Sequence, residues 1–150
     1  MVKMKTKIII RWAKKEDLKE IVNIFITGSK KRPYLQEWTK KKVIGFLKPS
    51  LKKNELLVAV IDGNVIGFIL AGPSSANKKI VYVGELWVTE KYQGKGIGKS
   101  LLVFIEKYHK KKGVDIMRFT AYNKSKASGF YKKLNYKMSK DVVLLDKRLK

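Results

Sequence analysis

The chain has 150 residues, no cysteine, one histidine, and 35 basic against 12 acidic side chains, a formal charge of +23. That length suits one domain, able to bury roughly 70% of the surface its unfolded chain exposes. With 45% hydrophobic residues and 16 aromatics the chain is too apolar for a disordered basic tail. The absence of cysteine excludes disulfides, thiolate zinc sites and a cysteine nucleophile, and His109 has no second imidazole with which to share a metal. Residues 1–12 interleave lysines with apolar side chains instead of forming a signal-peptide core, and no apolar run reaches the roughly 18 residues of a membrane helix. These observations lead to the expectation of a cytoplasmic, single-domain protein without a metal.

Of the basic residues 31 are lysine and only Arg11, Arg32, Arg118 and Arg148 are arginine. Nucleic-acid readers rely on arginine for bidentate and stacking contacts. The lysines are spread along the chain in pairs and triplets, at 14–15, 40–42, 52–53, 78–79 and 110–112. Such a field reads first as the solvated surface of a lysine-biased composition, and alternatively as attraction of an anion such as nucleic acid or a phosphorylated cofactor.

In chain order, residues 8–11 form a short β-like run. Residues 16–30 place Leu18, Ile21, Val22 and Phe25 on one helical face. A second helix is expected over 34–47, between Pro33 and Pro49. Strands at 56–61 and 65–71 join through Asp62-Gly63-Asn64, a hairpin signal, and 80–88 is a third strand interrupted by Gly84. After a glycine-rich turn at 93–98, Ile97, Leu101, Phe104, Ile105 and Tyr108 share the stripe of an amphipathic helix that Gly113 is placed to close. A strand at 114–121, a helix at 123–133 with Ala127, Phe130, Tyr131 and Leu134 on one side, and a strand at 142–145 complete the order. The fold class is α/β of the α+β type: one mixed, mostly antiparallel twisted sheet flanked by helices.

The chemistry concentrates between residues 83 and 99. Strand, tight glycine turn and helix start follow one another there, so several backbone N–H groups point outward at the positive end of a helix dipole. Glycines at 94, 96 and 98 let the chain bend and a ligand approach, and the natural guest is a phosphate or pyrophosphate. The turn is neither a P-loop nor the dinucleotide fingerprint, whose third glycine would stand one residue later.

It does fit Gln/Arg-x-x-Gly-x-Gly/Ala, and through Gln93-Gly94-Lys95-Gly96-Ile97-Gly98 the sequence resembles the GCN5-related N-acetyltransferase (GNAT) family. Arg11-Trp12-Ala13 with Asp17-Leu18 is similar to that family's opening strand and first helix, and Asn123, Ala127, Phe130-Tyr131 and Leu134-Asn135-Tyr136 are similar to its later block. The resemblance covers residues 8–137. It implies acetyl-CoA as the acetyl donor. The backbone of Leu86, Trp87 and Val88 would pair with the pantetheine amides, and the amides of Gln93, Gly94, Lys95, Gly96, Ile97, Gly98 and Lys99 would hold the pyrophosphate. Asn123 would contact the pantetheine arm where the strands ending near 88 and 121 part, with Ala127 on the cofactor-facing helix. Tyr131 would protonate the departing thiolate, for which a hydroxyl of pKa ~10 is suited, although it also fits as a core aromatic.

The implied reaction is direct transfer to an amine, and an ammonium must lose a proton before it attacks. Glu85, at the bulge marked by Gly84, is the candidate base, against a water chain or a plain surface carboxylate. Arg118 stands where ribosomal-protein N-terminal acetyltransferases of the family carry a glutamate, so their acceptor does not carry over. Asn135 replaces a glycine, and asparagine tolerates a left-handed turn. The +23 charge repels a polycationic acceptor unless Glu37, Glu55 and Glu85 form a local acidic pocket. The acceptor stays open between a small amine and a protein amino group. Other readings are a non-catalytic CoA-binding sensor and a nucleic-acid-associated protein, with Trp12, Tyr34 and Trp38 able to stack on bases. The family's frequent pairing through C-terminal strands leaves a homodimer open.

Overall fold

The computed structural model describes residues 7–122 and 125–150. The chain forms two compact units, one up to Phe119 and one from Thr120 to Lys150. In the first unit the order is β1 (Ile8–Trp12), α1 (Leu18–Ser29), α2 (Lys40–Leu47), β2 (Leu56–Ile61), β3 (Asn64–Pro73), β4 (Ile80–Val88), α3 (Ile97–Lys111) and β5 (Ile116–Arg118). The five strands form one sheet in sequence order; β1 to β4 are antiparallel neighbours and β5 joins β4 in parallel. The sheet is therefore mixed and mostly antiparallel, with helices on its faces, as the patterning predicts.

The hairpin between β2 and β3 is a two-residue turn. Asp62 and Gly63 have φ of +49° and +78°, and Ile61 pairs with Asn64, the twist that antiparallel strands favour. α1 and α2 cover one face of the sheet, where Leu18, Ile21, Val22, Phe25, Val43 and Leu47 pack on Val58, Val60, Val65 and Phe68. α3 packs on β2, β3 and β4 through buried Ile97, Leu101, Leu102 and Ile105. β1 is tied to the start of α1 by a two-pronged ion pair, Arg11 Nη1 and Nη2 donating to Asp17 at 2.7 and 3.0 Å, with the Lys14 amide donating to the same carboxylate at 2.7 Å. Burial pushes the Asp17 carboxyl up, and Arg11 and the Lys14 amide outweigh it, leaving the group below its ordinary value.

Three elements differ from the sequence reading. The second helix starts at Lys40, not near residue 34, because Thr39 Oγ1 accepts from the Lys42 amide as N-cap and Leu35 takes a φ of +49°. Tyr34 and Trp38, ahead of it, put their rings against Trp87 and Phe25. β5 spans only Ile116–Arg118, since it pairs only with Ile80–Tyr82 of β4. No strand forms at 142–145: Ser139 Oγ accepts from the amides of Asp141 and Val142, turning the chain, and Val142, Val143, Leu144 and Leu145 are exposed. In the second unit α4 (Lys126–Lys133) begins at the Ser125 cap, whose Oγ accepts from the Ser128 amide at 3.0 Å. Asn135 follows with φ +69°, the left-handed geometry expected of it. Among the described residues no helix is long and apolar enough to cross a membrane.

His109 is buried on α3, and its Nε2 has no hydrogen-bond partner among the described residues. Burial, and secondarily the Lys112 charge, hold its imidazole below the ordinary value. The unfolded chain therefore takes up a proton near pH 6.5 that the native chain refuses until lower pH, so stability falls as pH drops through that window. His109→Leu removes both the titration and an unsatisfied buried atom. Urea denaturation from pH 8 to 5 is expected to show the variant more stable by about 1 kcal/mol, with a flatter slope below pH 6.5; parallel curves would contradict this.

Candidate active site

The site begins with a count along β4. Leu70 of β3 lies opposite Glu85 and Ala71 opposite Val83, so Gly84 is one residue more than β3 can pair. Directly opposed residues share a face and neighbours on a strand alternate, so this bulge inverts the phase of β4. Val83 stays buried with Ala71, while Glu85 emerges beside Leu70 on the face covered by α1 and α2. Were Gly84 paired in a regular strand, Glu85, two residues on from Val83, would share Val83's face. The bulge that Gly84 marks in the sequence is therefore what aims the carboxylate.

Glu85 lines an open depression of about 500 Å³ together with Trp38, Lys42, Phe46, Leu70 and Gly84. Its carboxylate accepts from Trp87 Nε1 at 2.5 Å. Trp87 is held in turn by Phe25 and Tyr34, with ring centroids 5.7 and 4.9 Å away. It also fits against Gly28 of α1, where an added Cβ would come within 2.6 Å of the indole. Burial pushes the Glu85 carboxyl above its ordinary value, and the indole N–H pulls part of that rise back. A half-buried carboxylate with a raised pKa is a better proton acceptor than one in water.

On its other side β4 runs beyond its neighbour. β5 pairs only with Ile80, Val81 and Tyr82, so from Val83 to Val88 that edge of β4 has no β5 partner. Leu86, Trp87 and Val88 pair with Ile69, Phe68 and Gly67 on the β3 side. Extended backbone with one free edge can take an amide-bearing chain as an added strand. Thr89 leads into a short 3-10 turn (Glu90–Tyr92), and Gln93 Nε2 folds back to donate to the Val88 carbonyl at 2.9 Å.

The glycine turn follows. Gly94 and Gly96 have φ of +75° and +83°, and an added Cβ at either would meet nothing within 4 Å. Glycine is needed there for backbone conformation, and the space beside it is open. The first helical bond of α3 is Ser100 N to Gly96 O, so the amides of Ile97, Gly98 and Lys99 precede the ladder as free N-terminal donors. The first turn carries no acidic residue, and Lys99 sits where a cation opposes the helix dipole. Lys91 and Lys95 lie against the Tyr92 ring at 5.5 and 5.6 Å. A site that concentrates cations at a positive dipole end, with open glycines, fits a phosphate-bearing ligand.

In the second unit Tyr131 is half-buried on α4, with Phe130 and Tyr136 at centroid distances of 5.3 and 6.0 Å. Ala127 lies one turn earlier on the same helix. Asn123 lies outside the described residues. Arg118, in the place of a glutamate base, is engaged with Tyr82, Nη1 to hydroxyl at 3.3 Å. Sequence reasoning missed Lys42, Phe46 and Leu70 as lining residues and gave Trp38 a different use. Only the bulge and the α2 packing bring these positions to Glu85, and no local motif signals that. Among the described residues no group of three His, Cys, Asp or Glu could hold a metal.

Comparison with known proteins identifies the family. The family model described as acetyltransferase (GNAT) domain matches residues 52–138. An acetyltransferase of Sodalis glossinidius is 28% identical over 141 residues, 93% of this chain and 94% of that one. An uncharacterized N-acetyltransferase of Archaeoglobus fulgidus is 28% identical over 99 residues, 62% and 67% of the two chains. Among solved structures, an N-acetyltransferase of Staphylococcus aureus superposes with TM-score 0.74 at 26% identity, covering 88% of this chain and 84% of that one. The fold is shared as well by an aminoglycoside N-acetyltransferase solved in complex with CoA, TM-score 0.76 at 18% identity over 99% of both chains. The chain belongs to the GNAT acetyltransferase family. It is an enzyme, an N-acetyltransferase.

The indole N–H favours the charged form of Glu85, so Trp87→Phe is expected to move the Glu85 carboxyl titration to higher pH. Gly28→Ala, by displacing the indole, is expected to shift it the same way. Carbon-13 NMR of the side-chain carboxyls across pH 3–9 reads this directly, and an unmoved Glu85 resonance in both variants would show that the indole bond does not tune it.

Proposed function

We propose that the chain moves the acetyl group of acetyl-CoA directly onto the nitrogen of an amine. The observation that carries this reading is the bulge-aimed Glu85, in a depression on one face of β4, just ahead of a free strand edge and a glycine turn with outward amides. The amides of residues 94–99, with Lys95 and Lys99, hold the pyrophosphate, the Gln93 amide being bonded to the Glu90 carbonyl. The free edge at Leu86, Trp87 and Val88 holds the pantetheine amides, with Asn123 and Ala127 contributing as the family resemblance implies. Glu85 accepts the ammonium proton, the amine nitrogen bonds to the thioester carbonyl carbon, and the nitrogen sheds its second proton to solvent as the carbon–sulfur bond breaks. Tyr131, in the role the family resemblance implies, gives a proton to the thiolate. The products are an N-acetyl amine, CoA and one proton released to solvent, a balance that also restores the Tyr131 hydroxyl and the Glu85 carboxylate.

Gly96→Val places a β-branched residue at φ +83°, which strains the turn and fills the space beside it. Calorimetric titration of acetyl-CoA at moderate salt is expected to give saturable one-to-one binding to the wild type, weakened at least about tenfold in the variant. Unchanged affinity would remove the turn from the site, and wild-type binding that vanishes with modest salt would make the basic surface the lead instead. Tyr131→Phe is expected to lower kcat by about a hundredfold at unchanged acetyl-CoA affinity; an undiminished rate would take Tyr131 out of catalysis.

A further inference from the structure

The depression in front of Glu85 has a composition that specifies more than an amine. Three of its six lining residues are apolar or aromatic: Trp38, Phe46 and Leu70. The Trp38 and Phe46 rings lie 5.5 Å apart at 58°, and both pack on Phe25, at 5.5 and 5.6 Å, so this wall is fixed from behind by the core. Trp38 Nε1 is already used, donating to Gln36 Oε1 at 2.8 Å, which leaves the ring as an apolar surface. A volume of about 500 Å³ suits a single-ring or bicyclic body.

Two opposite charges share this space. Glu85 of β4 and Lys42, on the first turn of α2, both line it. Neither is spent on the other, because the ion pairs within 4 Å among the described residues are Arg11–Asp17 and Lys31–Glu90. Of the three carboxylates that could have made an acidic pocket, Glu85 is the one lining the depression, and Glu55 accepts from Ser50 Oγ at 3.2 Å. A polycation needs several carboxylates to offset a protein of charge +23. One carboxylate and one ammonium across an aromatic wall match a ligand of both signs instead.

We infer that the acceptor is a small zwitterion: a primary amine on an aromatic or bulky apolar body that also bears one anionic group, the amine facing Glu85 and the anion facing Lys42. This rests on the proposed acetyl transfer and deepens it by naming the substrate class. Trp38, Phe46 and Lys42 then determine specificity, with the rings accepting the body and the lysine rejecting amines that carry further positive charge.

The test compares acceptors with purified wild-type and Lys42→Glu protein: tryptophan and phenylalanine, their decarboxylated amines, and spermidine, each with acetyl-CoA. For the wild type kcat/KM is expected to be at least about tenfold higher for the amino acids than for the carboxylate-free amines, with spermidine lowest. Lys42→Glu is expected to reverse that order while leaving calorimetric acetyl-CoA affinity unchanged. Equal rates with and without the carboxylate, or an order unmoved by Lys42→Glu, would overturn the inference. So would spermidine as best acceptor, or no turnover of any of these amines by protein that binds acetyl-CoA; in those two cases the acetyl-transfer reading survives. Failure to bind acetyl-CoA would remove the transfer reading itself, and the inference with it. Indole NMR of Trp38 gives a readout besides turnover: it is expected to shift on adding N-acetyl-tryptophan to wild type, and less in Lys42→Glu.

Discussion

One surplus residue in β4 governs the arrangement of the site. Because β3 has no partner for Gly84, the strand changes phase, and the next side chain moves from the face under α3 to the face under α1 and α2. Everything chemical on that face depends on this change of phase. Glu85 gains its apolar surroundings, Trp87 follows two residues later on the same face and bonds to it, and the indole finds room only because α1 carries Gly28 there. Desolvation that would be a liability for a surface carboxylate raises its proton affinity here, which is what the proposed role as base requires.

The second constraint is electrostatic. Helix starts ordinarily favour acidic residues, and α3 opens with none while placing Lys99 in its first turn and Lys95 just before it. Local rules broken in this way tend to mark functional positions, where a ligand supplies the missing charge. The open space beside Gly94 and Gly96 is consistent with that, as is the free edge of β4 leading to it. Among the described residues the other lysines are exposed.

Much of this was legible in the sequence because it is local. The glycine turn, the hairpin at Asp62-Gly63 and the bulge at Gly84 each depend on a few consecutive residues; the stripe of α3 was legible in part, since Leu102 and His109 are buried there while Phe104 is exposed and Tyr108 half-buried. The GNAT resemblance rested on the same local blocks, and the family match over 52–138 agrees with it. What was not legible is non-local. Trp38, Lys42, Phe46 and Leu70 come from two helical turns, a loop and a neighbouring strand, and only the packing of α2 on Phe25 brings them in front of Glu85. The residues before α2 read as helix by composition, yet their aromatic rings bury better against Trp87 and Phe25 in an extended path. At 142–145 four apolar residues suggested a strand, but β propensity alone does not make a strand without a partner.

The central claim is that acetyl-CoA lies along the free edge of β4 and ends its phosphates on the start of α3. Amide hydrogen exchange followed by NMR, with and without saturating acetyl-CoA, tests it residue by residue. The account predicts new protection confined to the amides of Leu86, Val88 and residues 94–99, the Trp87 amide being already turned to β3. Protection spread over the lysine-rich surface, with those amides unchanged, would contradict it.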